Sequence, residues 1–117
     1  MRDHRKLRAF ELADALTLAI YRCTQSFPRQ EQFGLTAQMR RSAVSVGSNI
    51  VEGCARRSEA DYLRFLDMAY GSVRELEYQV SLAHRLGYLK PGAFESVHAA
   101  VVETGKVLCG LIRALRA

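Results

Sequence analysis

Residues 38–53, QMRRSAVSVGSNIVEG, carry a polar and an apolar stripe side by side when the segment is placed on a helix. The polar stripe consists of Gln38, Ser42, Ser45, Asn49 and Glu52. The apolar stripe consists of Leu35, Met39, Ala43, Val46 and Ile50. Few ordinary surface helices are rich in serine, asparagine and glutamine, because these side chains compete with the helical backbone for hydrogen bonds. The pattern therefore predicts a helix whose polar face has a role other than solubility.

The apolar arc of this helix is unusually wide. Val44 and Val51 lie well round the helix from the apolar stripe. A wide arc indicates more than one packing partner, which is either two neighbouring helices or another subunit. Gly47 weakens the middle of the helix and favours a local bend there.

The rest of the chain predicts three further helices. The four span about residues 6–26, 35–54, 59–86 and 91–116. Pro28 ends the first helix, and Pro91 suits the first turn of the fourth. Ser58 and Asp61 resemble a capping box at the start of the third. The inner stripe of the first helix is predicted to be Phe10, Ala13, Thr17, Ile20, Thr24 and Phe27.

No segment alternates with period two between turn signals, so no strand is expected. The short connections favour antiparallel neighbours. We therefore expect a single all-α domain over residues 1–117, folded as an antiparallel up-down-up-down four-helix bundle.

The composition is that of a soluble globular domain. Of 117 residues, 49% are hydrophobic and 25% are charged, which argues against low-complexity disorder. The 17 basic residues exceed the 12 acidic ones and give a net charge of +5. This balance favours acidic partners such as nucleic acid or an anionic surface. Solubility alone is an equally open explanation of the charge.

Cysteine usage and hydropathy indicate a reducing compartment. Cys23, Cys54 and Cys109 are an odd number of widely separated residues without a paired C-x-x-C spacing, so we expect small buried side chains. The start of the chain has no signal-peptide pattern. No apolar run approaches the roughly 20 residues that a membrane span needs. We expect a cytoplasmic protein with no membrane partner.

The sequence offers no convincing catalytic or metal-binding pattern. Glu95 and His98 supply one copy of the Glu-x-x-His spacing of di-iron bundles, but a second copy is missing. The histidines lie on separate segments, no nucleophile sits in a recognisable elbow, and no Gly-rich phosphate loop follows a strand. We expect no enzyme activity, no metal and no cofactor.

Polar residues on the second and third helices recur at matching steps and predict a polar seam between them. We expect an Arg41–Glu75 ion pair and a hydrogen-bond network around Asn49 to fix the helix register. The alternative is that both stripes face water. The residues assigned to the seam are Gln38, Arg41, Ser45, Asn49, Glu52, Ser72 and Glu75.

Basic residues cluster along the chain, and arginine dominates them. Arginine suits bidentate phosphate contacts, although charged residues also cap and solubilise helices. One protomer with few contacts would bind nucleic acid weakly, and repetition around an oligomer would strengthen binding through avidity. The candidate phosphate contacts are Arg2, Arg5, Lys6, Arg8, Arg40, Arg56 and Arg57.

Several of these motifs together resemble a known family. FGLTxQxRRxAxSV over residues 33–46 leads into SNIxEG over residues 48–53, followed by Arg57-Ser58, FLxxAxGS over residues 65–72 and Leu86-Gly87-Tyr88. This arrangement resembles the four-helix bundle family that includes proteins encoded by intervening sequences within bacterial large-subunit ribosomal RNA genes. Many relatives have proline where this chain has Gly47, so any bend is expected to be softer here.

The resemblance implies an architecture and a class of partner. Members of that family assemble as homopentamers, and relatives include the basic accessory protein of diversity-generating retroelements, which binds nucleic acid beside a reverse transcriptase. The resemblance therefore implies a homopentamer whose partners include RNA or DNA and a reverse transcriptase or other protein. The leading hypothesis is a non-enzymatic bundle that binds RNA or DNA through its basic surface. The alternative is a protein-protein interaction scaffold with no nucleic-acid role.

Overall fold

The computed structural model describes residues 2–117, so Met1 of the predicted domain lies outside the described residues. The described chain contains four α-helices and no strand, which confirms the all-α prediction. The helices are α1 (Arg8–Thr24), α2 (Leu35–Cys54), α3 (Glu59–Arg85) and α4 (Pro91–Arg116). Short 3-10 turns form at His4–Lys6 and Arg29–Glu31.

The helix ends follow from local hydrogen bonds. α1 starts later than the predicted residue 6, because Asp3 caps a separate turn and Leu7 is extended. Ser58 Oγ accepts a hydrogen bond from the backbone N–H of Asp61 at 3.1 Å and caps α3. Gly87, with φ of 82°, ends α3 in the left-handed conformation that favours glycine.

Each helix packs on two others. α1 and α3 both pack closely on α2 and α4, whereas within residues 2–117 no Cα atoms of the pairs α1–α3 and α2–α4 come within 8 Å of each other. The four helices therefore occupy the corners of a bundle that measures 43 × 24 × 19 Å. The core lies along its axis, and its largest fully buried side chains are Leu16, Ile20, Met39, Ile50, Tyr62, Leu66, Leu76 and Leu108.

The buried face of α1 matches only part of the predicted stripe; Ala13, Ile20, Thr24 and Phe27 are buried as expected. Ala9 and Leu16 are buried, whereas Phe10 and Thr17 are only half-buried. α1 is apolar around much of its circumference, so its sequence fits more than one rotation. The observed rotation buries the small Ala9 instead of the bulky Phe10, which lets neighbouring helices approach. Phe10 and Thr17 consequently face the groove between α1 and α2.

Two further expectations concern α2 and the cysteines. α2 continues as a helix through Gly47 without interruption. The three cysteines are free thiols; Cys54 is buried, while Cys23 and Cys109 are half-buried.

Among the described residues, no helix combines the length and apolarity needed to cross a membrane.

Candidate nucleic-acid interface and polar seam

The polar faces of α2 and α3 meet at a pair of serines. Ser45 Oγ lies 2.9 Å from Ser72 Oγ. Asn49 Nδ2 donates to the backbone oxygen of Ser45 at 2.9 Å and to its hydroxyl at 3.0 Å. Because the hydroxyl of Ser45 both accepts from Asn49 and contacts Ser72, these three residues form a chain of hydrogen bonds that links the two helices.

Beyond the serine pair, the seam opens into a groove of about 320 Å³. Its lining is wholly polar and consists of Gln38, Arg41, Ser42, Ser45, Ser72, Glu75 and Gln79. Gln79 is 4% exposed, and its Oε1 has no hydrogen-bond partner in the described residues. The groove therefore contains one buried acceptor that is available to water or to a ligand.

Three residues assigned to the seam do not make the contacts predicted for them. Arg41 and Glu75 line the same groove, but they make no ion pair within 4.0 Å among residues 2–117. Both are exposed, and an exposed pair gains only about 0–1 kcal/mol, so water competes for each charge. Glu52 lies instead at the α1–α2 groove, where its Oε1 binds Arg56 at 3.0 Å.

Four of the seven candidate phosphate contacts already have acidic partners. In each of these ion pairs the nitrogen and oxygen atoms are 2.7–3.1 Å apart. The pairs are Arg2 with Glu59, Arg5 with Asp3, Arg8 with Glu103 and Arg56 with Glu52. The hydrogen bond from Arg5 lowers the pKa of Asp3, so this partner stays charged in mildly acidic solution. Exposed pairs are weak and do not prevent phosphate binding, but they neutralise the local field.

Lys6, Arg40 and Arg57 have no acidic partner within residues 2–117. Lys6 and Arg57 are exposed. Arg40 lies near the start of α2, roughly 20 Å along the helix from its C-terminus at 1.5 Å per residue. It therefore lies far from Arg56 and Arg57, which follow the end of α2.

Arg40 is held in place by the end of α1. Its Nε donates to Thr24 Oγ1 at 2.9 Å, and its Nη2 donates to the backbone oxygen of Tyr21 at 3.3 Å. The guanidinium carbon lies 4.6 Å from the centroid of the Tyr21 ring. Arg40 shares a cleft of about 350 Å³ with Arg29, and the lining of that cleft contains no acidic side chain.

Arg29 lies alone in the α1–α2 connection, so no sequence pattern groups it with Arg40. The structure brings that connection (residues 25–34) against the α3–α4 connection (residues 86–90). The rings of Phe27 and Tyr88 are 5.4 Å apart, and Tyr88 donates to Glu31 at 2.9 Å. We call these two connections, together with the adjoining turns of the four helices, the loop end. Its basic side chains without an acidic partner in residues 2–117 are Arg22, Arg29, Arg40, Arg85 and Lys90.

A second groove, of about 380 Å³, lies between α1 and α2 on the outside of the bundle. Val44 is 42% exposed and Val51 36% exposed, so the wide apolar arc of α2 is not covered by helices of the same chain. Phe10 lines the same groove, and Leu18 and Tyr21 are exposed on α1. The α1–α2 groove is therefore a largely apolar surface open to solvent.

The residues of the rejected metal motif take ordinary positions on α4. Glu95 is exposed, and the ring of His98 stacks on Phe94 with centroids 5.3 Å apart. Throughout residues 2–117, no three metal-binding side chains come together in a group that would hold an ion.

Comparison with known proteins identifies relatives of this bundle. No curated protein sequence matches the chain. Among solved structures, a protein of unknown function from the S23 ribosomal protein family of Bacteroides thetaiotaomicron is similar, with 26% identity and a TM-score of 0.82. That similarity covers 90% of this chain and 95% of the other.

The family comparison covers most of the sequence. Residues 5–110 match the family described as 23S rRNA-intervening sequence protein, which confirms the resemblance seen in residues 33–88. The matched segment contains all of α1, α2 and α3 and most of α4. This chain belongs to the 23S rRNA-intervening sequence protein family.

Proposed function

We propose that this protein is a non-enzymatic, cytoplasmic homo-oligomer that binds RNA or DNA through its basic surface. The observation that carries the proposal is the excess of unpaired positive charge. Seven ion pairs use seven of the 17 basic residues and seven of the 12 acidic ones. Ten basic side chains therefore remain without an acidic partner within 4.0 Å in residues 2–117, against five acidic ones.

Unpaired arginines and lysines are suited to polyanions. Each phosphate that a basic side chain neutralises releases a condensed counterion, which is the main source of sequence-independent affinity for nucleic acid. Even at the loop end, a single protomer presents only five such side chains. Several protomers on one strand act together, because the second and later contacts form at high effective concentration.

The assembly we propose is a pentamer of antiparallel bundles. Contacts between the α1–α2 and α3–α4 connections support the antiparallel arrangement, since they require α1 to end where α4 starts. The α1–α2 groove supports self-association, because burial of exposed apolar side chains such as Val44 gains about 25 cal/mol per Å². The resemblance to pentameric relatives supports the number of subunits.

A second candidate function is a scaffold that binds a protein, such as a reverse transcriptase, without touching nucleic acid. The α1–α2 groove favours this alternative, since an exposed apolar surface also suits a foreign helix.

Charge reversal distinguishes the two candidates. We expect wild-type protein to bind structured RNA and duplex DNA at physiological salt, and Arg56→Glu/Arg57→Glu to weaken both about tenfold or more. Glu59→Gln/Asp61→Asn is a control that leaves all arginines in place and raises the net charge; it is expected to bind at least as tightly. If wild-type protein binds neither nucleic acid, the scaffold function replaces the one proposed. If it binds and the charge reversal has no effect, the contacts lie elsewhere.

A further inference from the structure

Phe33 is the most exposed large apolar side chain among the described residues. It is 90% exposed, although it lies in a short connection whose neighbours pack on the bundle. Phe27, in the same connection, is buried, and so is Leu35 at the start of α2. A phenyl ring that contributes nothing to the core of its own chain is a candidate contact for something else.

The cleft next to Phe33 has the chemistry of a phosphate site. Gln32, the preceding residue, lines the cleft that contains Arg29 and Arg40. The remaining lining residues are neutral: Thr24, Gln25, Phe27, Pro28 and Thr36. The side chains of Gln25 and Thr36 can donate hydrogen bonds. Because no carboxylate lines the cleft, both guanidinium groups are available to an anion.

Arg40 is preorganised for that anion. Its bonds to Thr24 and to the backbone of Tyr21 occupy Nε and Nη2, and its guanidinium rests on the Tyr21 ring. The N–H groups of Nη1 make no hydrogen bond within residues 2–117. A side chain that is already fixed loses little conformational entropy when it binds a phosphate.

The acidic residue of the same connection is engaged elsewhere. One carboxylate oxygen of Glu31 accepts from the backbone N–H of Leu35 at 3.0 Å, and the other accepts from the Tyr88 hydroxyl at 2.9 Å. These hydrogen bonds lower the pKa of Glu31 and hold it against α2 and the α3–α4 connection. Glu31 is consequently absent from the lining of the cleft.

We propose that the loop end is a contact site for single-stranded nucleic acid, with a phosphate held between Arg29 and Arg40 and a base stacked on Phe33. The proposal rests on the proposed function and adds to it a contact site, far along α2 from Arg56 and Arg57, and a substrate class. Phe33 directly follows Gln32, which lines the cleft, and Cα atoms of adjacent residues are about 3.8 Å apart, so we expect one nucleotide to span the cleft and the ring. Positive grooves combined with exposed aromatic rings are how proteins bind single strands without sequence preference.

The exposed ring is what separates single strands from duplexes. Bases in a duplex are stacked on one another and present no free face, whereas an unpaired base can stack on an aromatic side chain. The cleft alone would bind the phosphates of either form. The loop end should therefore favour single strands by the contribution of Phe33.

The test measures binding of a single-stranded oligouridine and of a duplex DNA with equal numbers of phosphates by fluorescence anisotropy. Phe33→Ala should weaken the single strand about tenfold and leave the duplex within about twofold. Phe33→Trp should retain single-strand binding, and Phe33→Leu, which keeps an apolar side chain but no ring, should not. Arg29→Glu should weaken both ligands.

Two controls accompany these variants. Thermal unfolding should be unchanged by substitution of the exposed Phe33, and light scattering should give the wild-type mass. If Phe33→Ala weakens neither ligand, weakens both equally, or lowers the mass of the assembly, this inference is overturned. The proposed function survives those outcomes as long as wild-type protein binds; it fails on its own if wild-type protein binds neither ligand.

Discussion

At the scale of single residues, Ser45 joins the polar faces of α2 and α3. Its hydroxyl is within 3.0 Å of Asn49 Nδ2 and 2.9 Å of Ser72 Oγ. Ser45 is half-buried, so water replaces these partners only in part when the hydroxyl is removed. The seam therefore contributes a modest stabilisation to the contact between the two helices.

We expect Ser45→Ala to lower the free energy of unfolding by about 1 kcal/mol, the usual contribution of a side-chain hydrogen bond. The control is Ser96→Ala. Ser96 is exposed on α4 and its side chain makes no hydrogen bond in the described chain, so this substitution changes only the helix propensity, by the same amount. Urea denaturation measures both. Ser45→Ala/Ser72→Ala should cost less than the sum of the single changes, and strict additivity would mean that the two hydroxyls do not interact.

Tyr62 is a buried residue whose pKa is strongly shifted. Burial raises the pKa of Tyr62 to about 12, with the neighbouring Cys54 thiol adding to the shift. An unfolded tyrosine releases its proton near pH 10, so between pH 10 and 12 the unfolded state binds fewer protons than the folded one. The stability contributed by the neutral phenol is therefore fully present below pH 10 and is lost as the pH rises towards 12.

The corresponding prediction compares wild-type protein with Tyr62→Phe. Wild-type protein should lose stability progressively above pH 10, and Tyr62→Phe should show a smaller loss because it has no proton to release at this position. Denaturation at pH values between about 9 and 12 measures both curves. Parallel curves would show that Tyr62 titrates in the folded state as it does in the unfolded one.

Spacing along α2 and α3 was enough to predict that their polar residues meet, but it was not enough to predict which atoms bond. Ser45, Asn49 and Ser72 have short side chains whose positions follow closely from the backbone. Arg41 and Glu75 are long and exposed, so solvent decides their conformation, and the predicted ion pair does not form. Sequence patterns therefore predict the seam and leave its longest side chains undetermined.

At the scale of helices, the end of α2 meets the start of α3 unusually closely. A Cβ atom at Gly53 would lie 2.9 Å from Cβ of Phe65 and 3.3 Å from the backbone oxygen of Tyr62. Those atoms belong to the body of α3 and cannot easily move away. Only glycine fits at this crossing, which explains a helix-weakening residue in the last turn of α2.

Gly53→Ala should therefore lower the free energy of unfolding by about 1–3 kcal/mol through overpacking. Gly71→Ala is the matched control, since Gly71 is exposed on α3 and a Cβ there would meet nothing within 4 Å. This control should raise stability by about 0.5–1 kcal/mol, because alanine favours the helix. Equal effects of the two substitutions would contradict the close approach of α2 and α3.

The four helices were predictable because their apolar periodicity, capping residues and prolines agree. The rotation of α1 about its axis was not predictable, since leucine and alanine surround that helix and several of its faces could pack on a core. The loop end was also missed. Arg29 and Arg40 are separated by a connection and a helix start, and only contacts such as Phe27 with Tyr88 show how the connections lie.

At the scale of the whole molecule, the α1–α2 groove is the surface on which the proposed assembly depends. Val44→Glu places a charge on this apolar surface and should reduce the mass in solution from about five times 13.1 kDa towards 13.1 kDa. Tyr78→Glu is the control, because Tyr78 is 62% exposed on α3, away from the groove. Light scattering measures both. An unchanged mass for Val44→Glu would place the subunit contact on another face.

The most direct test of the central claim is binding of the wild-type protein to single-stranded RNA and duplex DNA across a salt series. We predict that the logarithm of the affinity falls linearly with the logarithm of the salt concentration, with a slope of about 0.9 for each duplex phosphate contacted. A slope larger than one protomer can supply would indicate contacts from several subunits. Absence of binding near physiological salt would contradict the account. It would mean that the net charge of +5 serves only solubility.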